Sequence, residues 1–498
     1  MLNYWRSHSD YQEFVRSQFR PIALLANPLP DPQVLEYADI ISKLYILDTD
    51  RLKYVLAHCY SYTGRPAEQQ PEIFRTYILM QHLHIPVSDW IHKLNCNFVL
   101  RTACGLREGE VPSIASFYSF IERIDGPKVQ PRIKKFLSKP RKKLKKGEKL
   151  PPKHPGITSK LKDQIMKGRR FNNPTDDILN EILSIPVRKS LEFGLFNNHV
   201  NVNGDGTCVH TGASHYGMKI CECQSKGIYD CDCPRRFSDP SATWGWDSHN
   251  EKYYYGYTGY FLSTYNKANK VDLPLYIRTV EAKRHDSVSA IVALPGFRDL
   301  YPELTIDSFI SDSASDNYAT YELLEHWDIN AIIALNKTAL GNSKYPVPIK
   351  HEGGVPICPA SYKMVNWGSN KKDRSRNKWR CPRACKKGEN KPERCSECDS
   401  CSPSPYGRVV YTKLEWDPRL FCRVPRSSVQ WKELMKERSA AERVNNRILN
   451  NYQVEKMPRR GKKRISFFIM IAAINIHLDA QLKKLSADGS FDLFRDVI

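Results

Sequence analysis

Apolar residues recur with helical spacing through the first 127 positions. The segment 71–80, with Ile73, Phe74, Tyr77, Ile78 and Leu79, predicts a helix, and 89–94 predicts another with Ser88 as its N-cap. A third is expected to start at Ser113 and run through Phe117, Phe120 and Ile121. From about residue 190 the pattern changes to strands alternating with helices. Strands are predicted at 199–202 leading into Asp205, at 253–261, at 273–277, at 305–311 ending on Asp312, and at 331–335. Helices are predicted at 286–294 and 318–327. This order implies an α/β (α+β) domain, a mixed sheet with helices packed against it. A loop-rich, cysteine-bearing stretch at 337–405 interrupts it. The pattern resumes with strands at 409–411 and 420–424, a long helix through Glu442 and a final apolar helix over 466–482.

Between 128 and 190, lysines and arginines alternate with prolines such as Pro140, Pro151 and Pro155, which predicts a basic linker rather than a packed core. The whole chain is basic. Its 498 residues carry 76 Lys plus Arg against 54 Asp plus Glu, a net charge of +22 that favours a polyanionic partner, with a merely basic surface as the bland alternative. The first residues lack an apolar signal segment, and the longest apolar run, 467–476, is too short to span a bilayer, so a buried core helix is expected there. The 15 cysteines fall mostly in two clusters, which points to metal rather than disulfides. Cys381, Cys385, Cys395 and Cys398, with Cys401 as an alternate, have the paired spacing of a structural tetrathiolate Zn²⁺ site. Cys221, Cys223, Cys231 and Cys233 form a less typical Cys-x-Cys set that can also chelate and would brace the loop after Asp205.

Three acids carry the candidate chemistry. Asp205 sits in Asn203-Gly204-Asp205-Gly206-Thr207, where the glycines permit close backbone approach. Asp312 also ends a strand, so both carboxylates are expected at one end of the sheet, where open α/β sheets bind ligands. Glu442 lies four residues after Arg438 on one helix face; alone, that pair reads equally as a surface salt bridge. Two strand-end aspartates and a helical glutamate could together hold a pair of hard divalent cations.

In order and context these motifs resemble DDE transposases of prokaryotic insertion sequences, whose catalytic domain has an RNase H-like fold. The resemblance rests on residues 203–207, on 273–275 with Asp286, on Asp312-Ser313-Ala314-Ser315-Asp316, and on Arg438 with Glu442. Residues 71–124 resemble the helical N-terminal region of such proteins. Where the family often has a tyrosine before the arginine and a lysine after the glutamate, this chain has Met435 and Leu449; Arg443 or Arg447 is the candidate to replace that phosphate contact.

The resemblance implies two Mg²⁺ (or Mn²⁺) ions, with Asp205 bridging them and Asp312 and Glu442 taking one each. It further implies double-stranded DNA as substrate, a homodimer, no membrane association and a cytoplasmic, nucleoid-associated location. The expected organisation is a helical N-terminal domain at 1–127 for DNA binding or oligomerisation, a linker at 128–190, and a catalytic domain in two parts, 191–336 and 406–498, around the insertion. Two alternatives are an RNase H-like nuclease that does not join strands, and a non-catalytic, zinc-stabilised nucleic-acid-binding protein.

Overall fold

The computed structural model describes residues 1–2, 4–25, 31–124, 133–134, 155–248, 250–336, 343–369, 376–385, 401–402, 404, 406–455 and 459–498. In the N-terminal part, helix α1 (Gln70–His82) is buried from Gln70 to Gln81, as its closely spaced apolar residues require. Ser88 does not cap the next helix, Val87–Cys96. Pro86, extended and with its φ fixed by the ring, enters that helix first, and the Ser88 hydroxyl donates to Asp89 instead, at 3.0 Å. Ser113 does cap α2 (Ile114–Arg123), its Oγ accepting from the Ser116 amide.

Within the stretch expected as a linker, residues Ile157–Met166 and Pro174–Glu192 (α3) are helical. α3 continues because Leu179, Ile182, Leu183 and Val187 share an apolar face that packs into the main core. The lysine- and proline-rich residues 135–154 lie outside the described residues.

Six strands follow: β1 (His199–His210), β2 (Thr243–Asp247), β3 (Lys252–Asn266), β4 (Val271–Glu281), β5 (Thr305–Ser311) and β6 (Asn330–Ile333). They form one mixed sheet in the order β2-β3-β1-β5-β6, with β4 also paired to β3. β1 runs antiparallel to β3 and parallel to β5, and β5 is parallel to β6. Helix α4 (Asp286–Leu300) makes the crossover from β4 to β5. This is the RNase H-like arrangement that the motif order implied.

Two expected elements differ. Residues 420–424 form turns rather than a strand, because the Asp417 carboxylate gathers the amides of Arg419 and Leu420, at 2.9 and 3.0 Å. The helix expected to run through Glu442 is broken near Arg438, giving Val429–Lys436 and then α5 (Ser439–Asn446). Two strands of the cysteine-bearing insertion, Val365–Ser369 and Arg376–Arg380, form a three-stranded antiparallel sheet with Val409–Lys413, so the strand expected at 409–411 pairs with the insertion and not with the main sheet.

The final helix, α6 (Lys462–Ala487), extends beyond the expected bounds at both ends and is long and apolar enough to cross a membrane. However, 89% of its apolar window is buried inside the fold, which makes it the core helix. On one side Phe467 meets Tyr77 of α1, with ring centroids 4.8 Å apart, and Asn475 donates to the Ile78 carbonyl at 3.2 Å. On the other, His477 Nε2 donates to the Pro274 carbonyl in β4 at 2.8 Å while its Nδ1 accepts from Ser190 of α3 at 2.8 Å. The N-terminal helices, α3, the sheet and α6 therefore share one continuous apolar core.

Truncating Phe467 to Ala should cost about 3–5 kcal/mol, the usual penalty for an emptied aromatic core site. Urea unfolding of the full chain should then show one transition shifted as a whole. Separate transitions for the N-terminal helices and the sheet would contradict the shared core.

Candidate active site

Strand pairing places the first two acids. In the parallel β1–β5 ladder, Asn203 lies opposite Ile310, so two residues further on Asp205 and Asp312 stand side by side where that pairing stops. Asp312 does follow the end of β5, but Asp205 lies inside β1, which stays paired with β3 as far as His210. Asp312 leaves its strand by capping a short turn, its Oδ1 accepting from the Ala314 amide at 2.9 Å. The third acid arrives on α5. Asn445, one turn after Glu442, is buried, and its Nδ2 donates to Asp205 Oδ2 at 2.8 Å. That bond seats the helix against β1 and brings Glu442 into electrostatic range of Asp205. Glu442 itself is exposed and pairs with Arg438 at 2.5 Å. Arg438 also feels Asp205 and Asp312, so its guanidinium sits among all three acids.

A fourth acid, Asp286, lies behind the strand. Alternation puts Gly204 and Gly206 on the face of β1 opposite Asp205. A Cβ at 206 would collide with the Asp286 carboxylate, and one at 204 would collide with the Tyr260 hydroxyl and the Phe309 ring. The glycines thus clear space for an acid at the N-terminus of α4 and for a buried tyrosine. The Tyr260 hydroxyl has no hydrogen-bond partner in the structure and faces the negative field of Asp286, Asp205 and Asp312. In sequence, Asp286 marks the helix that follows the first strands in the resemblance, with no sign that it packs behind Asp205, and Asn445 reads as an uncharged helix residue. The glycines on either side of Asp205 are the one signal that something bulky packs behind it.

The electrostatics follow from crowding. Burial first, and then the charges of Asp286 and Asp312, push the Asp205 carboxyl up to about 7; Glu442 adds to this and Arg438 opposes it. Burial and Asp312 push Asp286 up to about 6, against His285. An all-oxygen set of crowded carboxylates with one nearby guanidinium is short of positive charge. A hard divalent cation fits that donor set.

Other expected positions have partners within the protein. Arg443 makes a two-point ion pair with Asp272 at 2.7 Å, and Arg447 pairs with Asp479 at 3.2 Å. Met435 packs beside Ile310, Ile332 and Val424, and Leu449 against the main core. Asp316, four residues after Asp312, is fully buried and held by Arg419 through Nε at 2.9 Å and Nη2 at 2.7 Å. Cys381 and Cys385 are buried on either side of a short 3₁₀ turn, while Cys395 and Cys398 lie outside the described residues.

The Asp205 carboxyl holds a proton in the native state from about pH 4, where the unfolded chain releases it, up to about 7. At this carboxyl the native protein binds more protons across that window, so its contribution to stability falls as pH rises. Partly buried His82 and buried His477, both lowered to about 4 by burial, contribute the opposite sign below about pH 6.5. Without added divalent cation, the melting temperature should therefore drop between about pH 6.5 and 8, above the range in which those histidines act. Asp205→Asn should flatten part of that drop and stabilise the protein at pH 8, by on the order of 2 kcal/mol after solvent screening. Added Mg²⁺ should raise the melting temperature of the parent chain more than that of the variant. A parent profile that rises with pH between about 6.5 and 8 would overturn this assignment of charge.

The family model described as Transposase DDE domain matches residues 205–478, more than half of the chain and all three of the expected acids. None of the curated proteins compared with it matches the chain. With a mixed sheet that sets two aspartates side by side, a helix that delivers the glutamate, and this match across them, the chain belongs to the DDE-domain transposase family.

Proposed function

We propose that the chain cuts insertion-sequence DNA ends and joins them to target DNA, with Asp205, Asp312 and Glu442 holding two Mg²⁺ ions (Mn²⁺ as substitute). The observation that carries this reading is the Asn445–Asp205 hydrogen bond, which locks the Glu442-bearing helix onto the strand pair bearing the two aspartates. When bound, the cations supply Lewis-acid stabilisation of the attacking and departing oxygens of a phosphodiester.

The residues present have separable tasks in this scheme. Asn445 fixes Asp205 Oδ2, which leaves Oδ1 as that side chain's unengaged oxygen. Asp312 is oriented by the turn it caps, and Glu442 is exposed, so it would be free to hold a cation in exchange for its bond with Arg438. Arg438, released in that exchange, is placed to meet a backbone phosphate. Arg443 and Arg447 would contribute to DNA binding by trading Asp272 and Asp479 for phosphate oxygens. Asp286, under Gly206, raises the proton affinity of Asp205 and so makes its ionisation dependent on an arriving cation. A homodimer that pairs two ends, and a structural zinc on Cys381, Cys385, Cys395 and Cys398, complete the reading.

The decisive test uses oligonucleotides carrying the element's ends. Asp205→Asn, Asp312→Asn and Glu442→Gln should each lower cleavage by about two orders of magnitude or more while leaving end binding within a few-fold. Asn445→Ala should lower it by about 10- to 100-fold, as expected for a residue that orients a ligand. Cleavage that survives both aspartate substitutions would overturn the assignment, and cleavage without joining of the 3′ end to target DNA would mark a nuclease instead.

A further inference from the structure

Seven residues after Asp205 the chain leaves the end of β1 on a 27-residue excursion, 212–238, before β2 begins. Its base is well fastened. Buried Asp239 accepts from the Thr211 hydroxyl at 2.8 Å, the Tyr257 hydroxyl at 2.6 Å and the Gly461 amide at 2.9 Å. The arm itself has almost no core. Phe237 is its one buried apolar side chain, whereas Tyr216, Met218, Ile220, Ile228 and Tyr229 are exposed. Regular structure is limited to Met218–Lys219 pairing with Arg235–Arg236, which pairs in turn with residues 133–134.

Ordering a backbone costs about 1–2 kcal/mol per residue, and burying one phenylalanine returns only about 2–3 kcal/mol. An arm this long therefore needs a cross-link that burial does not supply. Its cysteines provide the means. The ligand atoms of Cys221, Cys223, Cys231 and Cys233 all lie within 4.8 Å of one another, and the Cys221–Cys231 and Cys223–Cys233 sulfurs are 3.5 Å apart. That is well beyond the roughly 2.05 Å of a disulfide. A tetrahedral zinc with Zn–S bonds of about 2.3 Å sets its sulfurs about 3.8 Å apart, close to the spacing seen. Four soft thiolates with no oxygen or nitrogen ligand select zinc and discriminate against the hard cations suited to the carboxylate site.

We propose that Cys221, Cys223, Cys231 and Cys233 form a structural tetrathiolate Zn²⁺ site that folds this arm. The site is independent of the carboxylates and of any cation they hold. The ion ties the turn at 221–233 to the strand pair below it. That pair in turn keeps the His215 ring against Tyr216, centroids 3.8 Å apart, and edge-on to Trp244 of β2 at 4.8 Å, so the arm becomes a fixed extension of the sheet.

The test uses the full-length chain purified without chelator. Elemental analysis should find zinc, and Cys223→Ser combined with Cys233→Ser should remove one equivalent per chain relative to the parent, whatever the insertion cysteines hold. A parent without zinc, or a double variant that keeps the parent's full zinc content, would overturn the proposal. Because the variant risks misfolding, the parent is also footprinted with a thiol alkylator. These four cysteines should be protected while zinc is present and labelled after its removal, with exposed Cys96 labelled in both states. Equal labelling of the four before and after removal would also overturn it.

Discussion

The parallel pairing of β1 with β5 sets the terms for everything around it, because it forces two carboxylates together where that pairing stops. Like charges at neighbouring strand positions repel, and burial removes the water that would screen them. The protein does not relieve this locally. It adds Asp286 from behind, brings Glu442 from above, and offers Arg438 in partial compensation. A fold that tolerates such a concentration of charge must be held together elsewhere, and the restoring stabilisation comes from α6.

That helix works as an axle. One side carries the N-terminal helices through Phe467 and Asn475, and the other carries α3 and β4 through His477. Burial lowers the His477 imidazole to about 4, so it stays neutral, and the neutral ring can both donate to Pro274 and accept from Ser190. An apolar helix whose buried Asn475, His477 and Gln481 bridge to other elements explains why hydropathy alone makes it resemble a membrane span. It also explains why the N-terminal part and the sheet are coupled: the same side chains form both interfaces.

What the sequence revealed depended on whether a feature was local. β5 was legible as a strand stopped by an acid, whereas β1 runs five residues past Asp205 to His210, because its pairing with β3 continues where that with β5 stops. The register of β1 with β5 was not legible, since pairing Asn203 with Ile310 joins residues more than a hundred positions apart. Asp286 and Asn445 were missed as site neighbours for the same reason: one marks only the helix that follows the first strands, the other looks like a neutral helix residue. The strand expected at 420–424 failed because Asp417 captures the local amides, a side-chain interaction that overrides β propensity. The break near Arg438 was invisible too, since no proline or glycine marks it. Cysteine spacing flagged both clusters, and among the described residues the 221–233 set shows four sulfurs converging.

The 129 residues between Asp312 and Glu442 would appear to threaten a site that needs both. Loop-closure entropy grows only with the logarithm of length, so a long insertion costs little more than a short one provided its ends are fixed. The Asp-x₃-Asp motif divides that labour. Asp312 stays at the sheet end, while Asp316, one turn on, is committed to a buried two-point bond with Arg419 at the far side of the insertion. The Tyr321 hydroxyl and the Asn336 amide complete the Asp316 shell. With Arg419 anchored there, the chain has only to run from 419 to 442 to deliver the glutamate. Removing either partner would leave a buried charge uncompensated, a penalty that breaking a surface pair does not carry. The geometry of the candidate site thus depends on an ion pair with no part in its chemistry, and the insertion can vary in length without moving Glu442.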